Sequence, residues 1–142
     1  MKYLIVILLG VQMAQPQDIE GFWKTVDEDG IAKSIVKVYE TETGKIEGKV
    51  YRILKNSERD RRCTECKGEM KNKPIEGLVI MEGLAPDGDE YNDGEITDPE
   101  NGKTYDCKIW LDEDNPDILH VRGYVSFFYR TQDWKRVEEG EL

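Results

Sequence analysis

Cys63-Thr64-Glu65-Cys66 is the stretch of this chain with the most chemistry open to it. Two thiols at that spacing can share a metal, exchange electrons or be joined to each other. A zinc site needs four ligands, and the obvious completion is Cys107 with His120, the single histidine. A redox pair needs a thiol of lowered pKa. Arg61, Arg62 and Lys67 bring positive charge to the segment, but no helix N-terminus precedes the pair to do the rest. The third reading is a local disulfide in an oxidising compartment, with Cys107 a small buried hydrophobe. Chain entropy favours a long bridge to Cys107, at about 4 kcal/mol against about 2 for the short loop, whereas proximity favours the short one. The expectation is a Cys63–Cys66 disulfide and no metal.

Other chemistry is sparser. Asp89, Asp93, Gly94, Ile96 and Glu100 imitate a calcium-binding loop, but Tyr91 stands where an oxygen ligand belongs and no helices flank the segment. Turn residues are the better reading. The serines, at 34, 57 and 126, sit in no nucleophile motif, and no glycine-rich phosphate loop is present. No catalytic set and no cofactor are therefore expected, and His120 reads as a surface residue of a strand. Aromatic residues are the remaining signal: Trp23, Tyr105, Tyr124, Phe127, Phe128, Tyr129 and Trp134 could line a small-molecule cavity or fill a core.

These residues must be positioned by strands. From Lys103 to Val125 two alternating runs flank the turn Asp112-Glu113-Asp114-Asn115-Pro116-Asp117. Tyr105, Cys107, Ile109 and Leu111 share one face of the first, and Leu119, Val121 and Val125 share one face of the second. Pairing Leu111 with Leu119 sets Cys107 opposite Gly123 and turns His120 the other way, which works against a zinc site made from both. Upstream, Phe22 to Val26 reads as a short strand. Ile31 to Glu42 and Lys45 to Leu54 read as a hairpin, with a bulge near Gly48. A charged Cys-x-x-Cys loop follows at about 55–77, then a strand from Leu78 to Leu84. Ala85 to Asp93 reads as turn-rich, Glu95 to Thr97 as extended, and Phe127 to Val137 as the last strand. About eight strands with no helical periodicity close most economically into an antiparallel barrel.

The first residues read as an address. Met1-Lys2 is followed by the apolar run Tyr3 to Val11 and a small-residue zone around Ala14, the pattern of a secretory signal peptide over residues 1–17. The run is about half of the ~20 residues that a membrane-spanning helix needs. Residues 18–142 then form one domain, periplasmic or secreted, with no membrane span. The formal net charge of -10 argues against nucleic acid as a partner.

Gly21-Phe22-Trp23, Asp98-Pro99-Glu100-Asn101-Gly102-Lys103-Thr104-Tyr105, Arg122-Gly123-Tyr124 and Arg130-Thr131-Gln132-Asp133-Trp134-Lys135-Arg136-Val137 together resemble the bacterial exported family called domain of unknown function 2147. The resemblance implies a lipocalin-like, calycin-type barrel with no established reaction. The Gly-x-Trp opening is similar to that of lipocalins and implies that Trp23 closes one barrel end beneath Arg122 or Arg136. Trp23, Tyr105, Arg122, Tyr124, Arg130 and Trp134 are the residues expected to line or close the barrel around a small lipophilic ligand. The alternative is an envelope protein-interaction module that uses the charged loop over residues 55–74.

Overall fold

The computed structural model describes residues 18–142 together with Ile7 and Gly10, so the expected signal peptide lies outside the described residues. The described chain forms strands β1 (Gly21–Val26), β2 (Ala32–Glu40), β3 (Ile46–Ile53), β4 (Val79–Asp87), β5 (Glu90–Thr97), β6 (Thr104–Leu111), β7 (Ile118–Val125) and β8 (Phe128–Val137). Each pairs antiparallel with the next, and β8 returns to β1, closing a barrel. Three single-turn 3-10 segments, Asn56–Glu58, Gly68–Met70 and Glu139–Glu141, are the helical elements among the described residues.

An up-and-down barrel has two unlike ends. The loops β1–β2, β3–β4, β5–β6 and β7–β8 meet at one, the flap end. The chain entry at Asp18 to Glu20 and the loops β2–β3, β4–β5 and β6–β7 meet at the other, the tryptophan end. The β6–β7 register is the one the alternation dictates, with Cys107 opposite Gly123 and Leu111 opposite Leu119. Ile109, Leu119 and Val121 are buried on the inner face, while Trp110, His120 and Arg122 point outward.

Ala85 to Asp93 departs from the sequence expectation. The segment forms the ends of β4 and β5, joined across Gly88 and Asp89, with Pro86 opposite Tyr91 and Ala85 opposite Asn92. Gly88 takes φ +61, which gives the tight reversal. Residues of poor strand propensity are held extended here because Ala85, Pro86 and Asp87 pair with β5, and Glu90 and Tyr91 of β5 pair in turn with Trp110 and Ile109 of β6.

Side chains fill the barrel interior. A Cβ at Gly48 would lie 3.0 Å from the end of the Met81 side chain, and one at Gly94 would lie 2.5 Å from Leu84 Cγ. Each of these wall glycines is thus the seat of a core side chain from β4. Met81 and Leu84 join Trp23, Val36, Val38, Val50, Ile109, Leu119 and Trp134 in one buried cluster. The irregular register between β3 and β4 around Gly48 matches the expected bulge.

Candidate functional site

The tryptophan end is sealed. Trp23 lies opposite Val36 and Arg136 in the ladders, is fully buried, and donates its indole N–H to the Ile19 carbonyl at 2.9 Å. Arg136 lays its guanidinium over the indole, 4.3 Å from the ring centroid, and donates to the carbonyls of Asp18, Glu20 and Pro116. One side chain therefore binds the chain entry, the β6–β7 turn and the first tryptophan together. Of the two arginines that the resemblance offered as the stacking partner, the structure takes Arg136 and leaves Arg122 elsewhere.

The flap end is capped by residues 54–78, which fold back over the barrel. Cys63 and Cys66 form a disulfide, and both are buried in the main core cluster with Ile75 and Leu78. Cys63 Sγ lies 3.5 Å from the Pro99 carbonyl oxygen. A Cβ at Gly102 would fall 1.9 Å from the Glu65 carbonyl oxygen, so the flap backbone rests directly on the β5–β6 turn. The apolar side chains of this loop are consumed by its own barrel, which leaves charged residues on its outer surface. Cys107 remains a free thiol on the inner wall, its pKa pushed up to about 12 by burial. Among the described residues no three His, Cys, Asp or Glu side chains are placed to hold a metal ion.

The six expected site residues divide. Trp23 and Trp134 are buried core, and Trp134 donates to Gln132 Oε1 at 3.1 Å. Tyr105 lies on the inner face, its Cβ 3.6 Å from where a Cβ of Gly123 would stand. Arg130 shares the inner-face register opposite Gly123 but sits exposed at the flap end, ion-paired with Glu28 of the β1–β2 turn. Arg122 and Tyr124 correct the expectation: both stand on the outer wall, since they alternate with the inward Leu119, Val121 and Gly123. Arg122 donates its Nε to Thr131 Oγ1 at 2.9 Å, also outside. The same period-two reading that placed Cys107 inward would have placed them outward.

Phe127, Phe128 and Tyr129, expected to line a cavity or fill a core, stand instead in an apolar rim in solvent at the flap end, which sequence reasoning did not foresee. Ile31, Val125, Phe127, Phe128 and Tyr129 are 60%, 53%, 96%, 77% and 62% exposed, and all lie in or beside the β1–β2 and β7–β8 connections. Ser126, at φ +55, makes the turn that presents the two phenylalanines. The rim stands beside the incomplete part of the barrel seam, because β8 pairs with β1 only through Lys135, Arg136 and Val137. The run V-S-F-F-Y was the available signal.

His120 is held between two carboxylates on the outer wall, 2.8 Å from Asp112 and 2.7 Å from Asp133. Burial alone would depress its pKa, but these two hydrogen bonds outweigh it and the net shift is upward. The His120 hydrogen bond, with backbone N–H groups of Asp114 and Asn115, holds Asp112 below its ordinary value.

A solved structure with this architecture comes from Helicobacter pylori, a protein described as belonging to the lipocalin family. It superposes with a TM-score of 0.74 over 87% of this chain and 86% of the other, at 19% identity, a likeness in fold. No curated protein matches the sequence. Residues 21–136 match the family described as uncharacterised protein conserved in bacteria, and the chain belongs to that family, domain of unknown function 2147.

Proposed function

We propose that this protein is an exported, non-enzymatic lipocalin-like carrier that binds a small, partly apolar molecule at the rim of its flap end. The observation that carries the reading is the gathering of Ile31, Val125, Phe127, Phe128 and Tyr129 in solvent at one end of a barrel whose interior is occupied. Large apolar side chains in contiguous exposure mark a contact surface. A ligand resting there would meet aromatic rings together with the Arg130–Glu28 pair, so it would combine an apolar body with a polar group. The interaction-module alternative is the weaker one, because the flap spends its apolar residues on its own barrel. Export rests on the sequence of residues 1–17.

Titration with a lipophilic fluorophore such as N-phenylnaphthylamine tests the reading. Saturable binding should weaken about 100-fold or more when Phe127 and Phe128 are both changed to serine, because two rings covered by the ligand at about 1.5–3 kcal/mol each sum to about 3–6 kcal/mol. No saturable binding, or equal affinity in the double variant, would sink the reading.

A further inference from the structure

The outer wall of β6, β7 and β8 holds a cation that no carboxylate neutralises among the described residues. Lys108 and Arg122 stand directly opposite each other in the ladder, an unfavourable meeting of like charges. Lys108 escapes toward β5, where Glu90 lies 2.7 Å away. His120 has its two aspartates. Arg122 has no carboxylate within 4.0 Å among the described residues, in a chain with 30 acidic and 20 basic residues.

Its position is nonetheless fixed. The guanidinium carbon lies 4.8 Å from the Trp110 ring centroid and 4.1 Å from that of Tyr129, so a ring stands on either flank of the β7 side chain. Nε is committed to Thr131 Oγ1. A guanidinium has five N–H donors, and the four on the terminal nitrogens have no protein acceptor among the described residues. Ordering a long side chain this way costs conformational entropy, and what results is a planar fork of donors held in place. That fork matches the two coplanar oxygens of a carboxylate.

We propose that Arg122, steadied by Trp110, Tyr129 and Thr131, is a binding site for the carboxylate of a small organic acid. The site shares Tyr129 with the flap-end rim but not Phe127 or Phe128, so Arg122→Gln tests it and the double serine variant tests the rim, and either can fail without the other.

Trp110 is the reporter. Of the three tryptophans, Trp23 and Trp134 are buried at 0% and 2% exposure, and Trp110 alone is partly open. A net charge of -10 by itself predicts that caesium quenches tryptophan better than iodide does. The proposal predicts the reverse at low ionic strength: iodide should lead by about twofold or more, because a local positive field concentrates anions. Replacing chloride by acetate at constant ionic strength should protect Trp110 from iodide. Arg122→Gln should abolish both the iodide preference and the protection. Arg122→Lys should keep the preference and lose most of the protection, since the charge remains without the fork. Absence of acetate protection in the unmodified protein, or persistence of both effects in Arg122→Gln, overturns the proposal.

Discussion

Replacing Arg136 by alanine isolates what closes the tryptophan end. The side chain makes three hydrogen bonds, to Asp18 O at 2.8 Å, Glu20 O at 3.1 Å and Pro116 O at 3.2 Å. The first two acceptors are exposed and can rehydrate, so each bond is counted at about 0.5–1 kcal/mol rather than at the higher value for charged donors in the interior. Its stacking on Trp23 adds roughly 1–2 kcal/mol. The ion pair with Asp117, whose side chain is 65% exposed, adds nothing to the sum. The total is about 2.5–5 kcal/mol, equivalent to about 10–20 °C in Tm for a domain of this size. Urea unfolding followed by tryptophan fluorescence, extrapolated linearly to water, measures it. Arg136→Lys should recover less than half of the loss, because an ammonium cannot stack flat on the indole while reaching three carbonyls. A loss under about 1 kcal/mol, or full rescue by lysine, would refute the idea that this residue fastens the chain entry and the β6–β7 turn to the barrel.

Two further perturbations probe the flap and the outer wall. Gly102→Ala puts a methyl group into the Glu65 backbone at a residue whose φ is +72, so the flap must lift; proteolysis within residues 54–78 should accelerate several-fold, and unchanged cleavage would contradict the contact. The His120 cluster should make stability pH-dependent in two directions. The raised His120 contributes fully below its unfolded value of 6.5 and loses that contribution as pH climbs through its folded value, whereas the lowered Asp112 contributes above 3.8 and loses it on acidification. His120→Gln should therefore flatten the decline in Tm above pH 6.5, and an unaltered slope would count against the assignment.

The fold was legible where alternation was strong. Tyr105 to Leu111 and Leu119 to Val125 announce both their strands and their register, because a one-residue slip would expose a whole face. Between Ala85 and Asp93, proline, glycine and aspartate conceal two strand ends that are held by pairing rather than by propensity. The site was less legible. Grouping Arg122 and Tyr124 with Trp23 followed the resemblance instead of the pleat, and the pleat turns them outward. The role of Gly48 as a seat for Met81, and of Gly94 for Leu84, depends on partners far away in sequence, which no local pattern reveals.

The meeting of β1 with β8 also governs how the chain can be assembled. Seven neighbouring pairings can zip as each strand emerges, but the eighth joins segments more than a hundred residues apart, such as Glu20 and Arg136. Closing so large a ring adds an entropic penalty that grows only logarithmically with its length, so distance delays the event more than it weakens the product. Until that last strand arrives, Trp23 has no guanidinium above it and a partly synthesised chain keeps an oily trough open to its surroundings. Completion of the ring is what turns a ribbon of hairpins into a stable object.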